Sequence, residues 1–109
     1  MSSVTEDCLF CRIIKGELKA DKVFEDDLVV VIKDIKPKAP THLLIMPKVH
    51  IGNIADLKLS QKSLAGHLLV VAGELARKDK LDKKGFRLVV NNGPGGGQEI
   101  PHLHIHLMG

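Results

Sequence analysis

Three histidines alternate with aliphatic residues near the end of the chain, where residues 102–108 read HLHIHLM. Successive side chains of a β-strand point to opposite faces, so the pattern predicts a strand with its imidazoles on one face and its aliphatic side chains on the other. Imidazole can attack as a nucleophile, move protons or bind a metal near neutral pH. The row therefore predicts either a metal centre or nucleophilic catalysis.

The segment just upstream favours catalysis at phosphorus. Residues 92–97 read NGPGGG and are predicted to be irregular. A glycine-rich turn can aim several backbone N–H groups at an anion, although such a turn can also be a simple hairpin connection. Beside a row of imidazoles, an anion cradle indicates phosphoryl transfer, since imidazole is both a nucleophile and a good leaving group.

The elements that must hold these groups follow from the hydrophobic pattern. A helix is predicted from Ser60, as its N-cap, to about Lys78, because apolar residues recur there at the helical period. Strands, then one long helix, then two more strands indicate an α+β domain with a largely antiparallel sheet. The strands are predicted at residues 23–25, 28–33, 41–46, 86–91 and 101–108.

Composition narrows the class of protein. The 109 residues suffice for one compact domain, residues 1–109, and the formal net charge is only +3. The chain has no Trp or Tyr to stack on bases, which argues against nucleic acid as a partner. Its apolar runs are too short to span a membrane, and no secretory leader opens the sequence, so we expect a cytoplasmic protein.

Two cysteines, Cys8 and Cys11, form a C-x-x-C motif. A redox pair of the thioredoxin type would need a βαβ pattern around it, which the sequence lacks. The thiols could pack as small hydrophobic groups among their apolar neighbours. Alternatively, they could bind a structural zinc ion, for which His50 and His102 are available as the third and fourth ligands.

Together these segments resemble the histidine triad superfamily, and within it the branch of histidine triad nucleotide-binding proteins (Hint). The stretch HLHIHLM matches the signature of three histidines separated by hydrophobic residues. The resemblance covers nearly the whole chain. Its other matching segments, in the same order, are CLFCRII (8–14), DI (34–35), APTH (39–42), IMPKVHI (45–51) and GGQ (96–98).

The resemblance implies a HIT-like fold with about five strands, one long helix and a short N-terminal helix, whose sheet continues across a homodimer. It also implies purine nucleoside phosphoramidase activity, the hydrolysis of AMP joined through nitrogen to an amine. His104 would attack the α-phosphorus and form a nucleotidyl-histidine intermediate. His106 would lie near the phosphate and leaving group, His42 would help to orient His104, and His102 is counted with the catalytic set.

The resemblance further implies contacts to the nucleotide. Asp34, taken alone, could simply be a turn residue, but its carboxylate is also a natural acceptor for the ribose hydroxyls. Glu99 stands where many relatives have Ser, and it would protonate the leaving amine or meet a cationic leaving group. The implied nucleotide-binding residues are Asp34, Ile35, Asn91, Gly97, Gln98, His104 and His106, and Gln98 and Glu99 also join the implied catalytic residues.

The resemblance leaves the chemistry free of any required cofactor. Some bacterial histidine triad proteins hold a structural zinc ion at positions matching Cys8, Cys11, His50 and His102, so zinc and inert thiols both stay open here. Two alternative functions also stay open. One is a hydrolase that carries its metal on the histidine row, and the other is a nucleotide-binding adaptor with little turnover.

Overall fold

A five-stranded antiparallel sheet forms the centre of the protein, in a computed structural model that describes residues 7–109. The strand order is β1-β2-β3-β5-β4. The strands are β1 (Lys22–Glu25), β2 (Val29–Lys33), β3 (His42–Pro47), β4 (Arg87–Val89) and β5 (Ile105–Met108). The helices are α1 (Leu9–Ile14), α2 (Lys62–Lys78) and α3 (Leu81–Lys84). The predicted fold class, α+β with one long helix, is confirmed.

The two faces of the sheet bury different clusters. Helix α2 packs its apolar stripe on the face formed by residues such as Val31, Ile45 and Leu107. Helix α1 packs on the opposite face, with Phe10 and Cys11 among the residues buried there. Residues 29–32 of β2 are buried without alternation because both faces of this interior strand are covered.

Three sequence predictions of local structure are wrong in detail. The last strand begins at Ile105 rather than at residue 101, because the backbone of residues 102–104 bonds outside the ladder, for example from Leu103 N–H to the Ile51 carbonyl. Ser60 does not cap α2, since it lies inside the 3-10 turn Leu59–Gln61 that precedes the helix. The glycine loop contains a 3-10 turn at Pro94–Gly96.

Helix α2 is also tied to the turn between β1 and β2. His67 Nε2 lies 2.6 Å from Asp26 Oδ2, and both side chains are about one-third exposed. Asp26 Oδ1 accepts the backbone N–H groups of Leu28 and Val29 and so shapes the turn. His67 therefore lies at the boundary of the buried face of α2, where it contacts this turn. Within residues 7–109, no helix has the length and apolar character needed to cross a membrane.

Candidate active site and metal centre

The alternation of the histidine segment is confirmed. Leu103, Ile105 and Leu107 lie in the cluster under α2, and the three histidines lie on the other side of the sheet. The rings of His104 and His106 are 5.0 Å apart between centroids. His102 is turned instead toward the cysteine pair, where its ring is fully buried. The row therefore divides into a pair, His104 and His106, and a third imidazole with different partners.

His104 presents a free ring nitrogen to solvent. Its Nδ1–H donates to the His102 carbonyl oxygen at 2.7 Å, because a carbonyl can only accept, and Nε2 is left as the unprotonated nitrogen. Nε2 has no hydrogen-bond partner among the described residues, and none of their buried side-chain nitrogens or oxygens lacks one. Nε2 must therefore reach the surface, although the residue as a whole is only 7% exposed. Phe10 packs edge-on against the ring at 5.0 Å and limits its rotation.

His106 is held by a second imidazole across the sheet. His42 lies diagonally opposite it on β3, and His42 Nε2 is 2.9 Å from His106 Nδ1. The backbone N–H of Lys38 donates to His42 Nδ1 at 3.0 Å, so His42 must carry its proton on Nε2. His106 Nδ1 then accepts a hydrogen bond from this Nε2–H, and His106 carries its own proton on Nε2. Asp34 Oδ2 lies 3.3 Å from His42 Nε2 and completes the network.

The rings of His104 and His106 are both neutral at neutral pH. Burial lowers the pKa of His104 below its ordinary value, while the hydrogen bond to the His102 carbonyl and the charge of Asp34 raise it in part. Burial also lowers the pKa of His106, with His104 and His42 acting in the same direction. The pair therefore offers an unprotonated nitrogen, on His104, beside an N–H donor, on His106. This arrangement suits attack on an electrophile next to an anionic or leaving group.

The glycine loop does not present the predicted cradle of free amides. The N–H groups of Gly96, Gly97 and Gln98 donate to carbonyls inside the loop, and the N–H of Gly93 donates to Gln98 Oε1 at 2.7 Å. The prediction is wrong for these four amides because the loop closes on itself as a 3-10 turn. Asn91 Nδ2 also donates within the loop, to the Gly96 carbonyl at 2.9 Å.

Gln98 fixes the loop to the body of the protein. Its Nε2 donates to the Gly52 carbonyl at 2.7 Å and to the Ile100 carbonyl at 3.0 Å. Both amide protons and one oxygen are thus used internally, and the geometry gives Gln98 a shaping role. Gly97 has φ +85°, a backbone conformation in which a residue with a side chain would be strained.

The other predicted nucleotide residues lie at the end of β2 and after the loop. Asp34 and Ile35 follow the last residue of β2, and the Ile35 side chain is 92% exposed, as an apolar platform would be. Glu99 is exposed and follows Gln98 directly. A groove of about 390 Å³ contains Asp34 and His42, together with residues at the end of α2 such as Leu75 and Lys78, but not His104 or His106.

The four predicted metal ligands come together. Their ligand atoms, Cys8 Sγ, Cys11 Sγ and the Nδ1 atoms of His50 and His102, all lie within 4.8 Å of one another. Cys8 Sγ is 3.3 Å from His102 Nδ1, Cys11 Sγ is 3.3 Å from His50 Nδ1, and the two nitrogens are 3.2 Å apart. Zinc–ligand bonds of about 2.0–2.3 Å in a tetrahedron require separations of about 3.3–3.8 Å. The residues therefore fit zinc.

The tautomer of His102 also suits a metal ligand. His102 Nε2 lies 2.9 Å from the Pro47 carbonyl and must donate its proton there, which leaves Nδ1 free to bind. Burial lowers the pKa of His102 to about 4, so the ring is neutral at physiological pH. Burial raises the pKa of the Cys8 thiol, which would lose its proton on binding a metal.

A second cluster, Asp34, His42 and His106, also brings three ligand atoms within 4.8 Å. Here the tautomer opposes metal binding, because the Lys38 N–H donated to His42 Nδ1 keeps the proton on Nε2, the nitrogen that would have to coordinate. The geometry therefore favours acid–base and nucleophilic roles for these side chains over a metal centre on the histidine row.

Three contributors to the site escaped the sequence interpretation. Phe10 packs against both His102 and His104, while Lys38 and Pro47 fix tautomers through backbone groups. The position of Phe10 between the two cysteines was a usable signal, since any element carrying those cysteines to His102 brings Phe10 with it. The backbone contacts of Lys38 and Pro47 leave no trace in residue type.

Comparison with known proteins identifies the family of this chain. The HIT domain model matches residues 15–109. The purine nucleoside phosphoramidase of Escherichia coli K12 is 38% identical over 106 residues, which cover 97% of this chain and 89% of that protein. Protein HitA of Neisseria gonorrhoeae is 43% identical over 104 residues, covering 95% of this chain and 96% of its own.

A solved structure extends the likeness to three dimensions. The HIT family hydrolase from Legionella pneumophila Philadelphia 1 superposes with a TM-score of 0.93 at 48% identity, covering 94% of this chain and 92% of its own. The family predicted from the sequence is confirmed. The chain belongs to the histidine triad (HIT) domain family.

Proposed function

We propose that this HIT family hydrolase cleaves purine nucleoside phosphoramidates, in which AMP is joined through nitrogen to an amine. The observation that carries the proposal is the pair of neutral imidazoles, with unprotonated Nε2 on His104 beside an Nε2–H on His106. The Escherichia coli relative, a purine nucleoside phosphoramidase, supports the substrate class.

The reaction proceeds in two displacements at phosphorus. The lone pair on His104 Nε2 attacks the α-phosphorus, the P–N bond to the amine breaks, and the amine takes up a proton from His106 Nε2–H or water. The resulting nucleotidyl-imidazolium keeps its Nδ1–H on the His102 carbonyl, which stabilises the positive ring. Water then attacks the same phosphorus, AMP leaves His104, and the proton released restores the donor.

The remaining predicted residues would bind and orient the nucleotide. Asp34 would accept ribose hydroxyls, and exposed Ile35 would lie against the nucleoside. The loop containing Asn91, Gly97 and Gln98 would border the phosphate, with its shape set by its internal hydrogen bonds. Exposed Glu99, which directly follows Gln98, would meet a cationic leaving amine.

The decisive experiment incubates the purified chain with an adenosine phosphoramidate of lysine and follows AMP and free amine. We expect both products in equal amounts, and rapid quenching at alkaline pH, where a phosphorus–imidazole bond is stable, should trap a nucleotide covalently on His104. Chelator should leave the chemical step itself unchanged, since no metal acts on phosphorus. AMP binding without turnover would replace the enzyme proposal with an adaptor, and loss of the chemical step on chelation would favour the metal-dependent hydrolase.

We also propose a homodimer whose sheet continues through the edge strand β4. The β4 residue Leu88 is 38% exposed, and Leu69 and Val70 of α2 are 56% and 57% exposed. An edge strand has unpaired backbone groups that a second copy can satisfy, and the apolar side chains would be covered at the same time. Sedimentation should then give twice the 11.9 kDa mass of one chain.

A structural zinc ion held by Cys8, Cys11, His50 and His102 is a further proposal, supported by the spacing of their ligand atoms. When bound, it would fix α1 to the sheet and take no part in the reaction. Metal analysis should find about one zinc per chain, lost in a Cys8→Ser/Cys11→Ser variant. A metal-free wild-type protein purified with zinc in the medium would contradict it.

Thiol ligands persist in a reducing compartment, so we also propose a cytoplasmic location.

A further inference from the structure

The carboxylate of Asp34 contacts the imidazole network directly. Its Oδ1 accepts the Lys36 backbone N–H at 2.8 Å, which fixes the orientation of the group. Its Oδ2 lies 3.3 Å from His42 Nε2, in a site where the His42 side chain is 1% exposed and the Asp34 side chain 18%. Asp34 is therefore oriented by the backbone, faces a buried imidazole, and keeps part of its surface open to a ligand.

One donor of this network lies near two groups that attract its proton. His42 Nδ1 already accepts the Lys38 N–H, so the Nε2–H of His42 is its only donor. This N–H bonds to His106 Nδ1 at 2.9 Å, while the Asp34 carboxylate, whose Oδ2 lies 3.3 Å from the same Nε2, attracts the proton electrostatically without a hydrogen bond of its own. Whatever weakens the attraction of Asp34 for the proton strengthens the hydrogen bond to His106. A stronger bond at Nδ1 draws electron density from the ring and makes His106 Nε2–H a better donor.

The charge of Asp34 also reaches His106. Burial, His104, His42 and Lys38 all lower the pKa of His106, and Asp34 is the group that raises it. Among the neighbouring charged and titratable groups, the carboxylate of Asp34 therefore favours the protonated form of His106, and the others favour the neutral form.

We propose that Asp34 is a positioning residue for the His42–His106 pair, and that a ribose hydroxyl donated to its carboxylate is transmitted through His42 to the proton donor His106. The coupling rests on the proposed function, while the positioning contact does not. Sugar binding then improves the reaction step as well as affinity. Substrates lacking both ribose hydroxyls lose kcat, and not only KM, and they do so only when Asp34 is present.

The kinetic test compares an adenosine phosphoramidate with its dideoxy analogue lacking both ribose hydroxyls, in wild type, Asp34→Asn and Asp27→Asn. Asp27 is an exposed acid in the β1–β2 turn and serves as the matched control. We expect the dideoxy substrate to lower wild-type and Asp27→Asn kcat roughly tenfold, part of the factor that proton transfer contributes. In Asp34→Asn the ribose hydroxyls should no longer affect the reaction step, so both substrates should have the same kcat. A dideoxy effect on KM alone would overturn the coupling.

A second measurement does not depend on turnover. Titration of the His106 ring by nuclear magnetic resonance should give a lower pKa in Asp34→Asn than in wild type or Asp27→Asn, because the group that raises this pKa has lost its charge. A purely structural role for Asp34 would not move it in a folded variant. An unchanged His106 titration overturns the positioning role, even if wild type hydrolyses phosphoramidates. Absence of turnover with a shifted titration would instead refute only the proposed function and the ribose coupling.

Discussion

Replacing His104 with Ala should reduce turnover of an adenosine phosphoramidate by at least about a thousandfold. Of the four imidazoles around the candidate active site, His104 combines an unprotonated, surface-reaching Nε2 with a fixed ring, whereas His42 and His106 carry their protons on Nε2 and His102 is fully buried. The substitution also leaves the His102 carbonyl without its donor, which should lower the free energy of unfolding by about 1–3 kcal/mol. Initial rates and thermal unfolding should be measured on the same samples.

His67→Gln is the control for this experiment. His67 is a histidine of α2 that bonds to Asp26 and belongs to the face away from the imidazole pair, so its turnover should match wild type. A His104→Gly variant offers a further check, since added imidazole can occupy the vacated space and restore part of the rate. Turnover of folded His104→Ala within tenfold of wild type would show that another group attacks phosphorus.

Acidification should destabilise the metal-free protein through His102. Burial lowers the pKa of this ring from 6.5 to about 4. Between these pH values the ring is protonated in the unfolded chain and neutral in the native protein. The neutral ring therefore carries no such cost above pH 6.5, and native stability falls as the pH drops from 6.5 toward 4. The full difference between the two pKa values would lower the free energy of unfolding by about 3 kcal/mol, since each pKa unit corresponds to about 1.4 kcal/mol. Burial acts in the same direction on His104 and His106.

Denaturant unfolding at a series of pH values, in the presence of chelator, measures this effect. His102→Gln can keep a donor for the Pro47 carbonyl, because its amide Nε2 lies near the position of the ring Nε2, and it removes the titration, so its stability should depend less on pH over the same interval. His67→Gln should retain the wild-type slope. Equal slopes in wild type and His102→Gln would mean that other groups take up the protons. Protein loaded with zinc should show a sharper loss on acidification, because protons compete with the metal for the same nitrogens.

Much of the fold could be predicted because hydrophobic period and turn residues report it locally. The alternation around His104 predicts that Leu103 and Leu107 lie in the core, and the helical period predicts the extent of α2 apart from its first turn. Residues 101–104 could not be placed, since alternation cannot distinguish a strand from an extended segment whose backbone bonds elsewhere. Only the tertiary contact between Leu103 and Ile51 decides that point.

The candidate site was likewise predictable only in part. That Cys8, Cys11 and His102 would meet was one of two alternatives open from the sequence. The full ligand set was implied by the resemblance to zinc-binding relatives, because six histidines leave several other pairs of ligands possible. The glycine loop misled the interpretation, since glycine permits a cradle without requiring one, and the side chain of Gln98 with the turn at Pro94–Gly96 uses the amides internally. The roles of individual nitrogens depended on backbone carbonyls and amides, which sequence patterns do not report.

The shortness of α1 affects His104, because Phe10 of this helix packs against the His104 ring. A helix of 6 residues does not persist in water by itself, so α1 is ordered only while Phe10 and the cysteines remain docked. Detachment of this one turn and a half would uncover a flank of the attacking ring without unfolding the sheet. The lifetime of the docked form, readable from amide hydrogen exchange at Arg12 and Lys15, therefore governs how long the nucleophile stays ready for reaction.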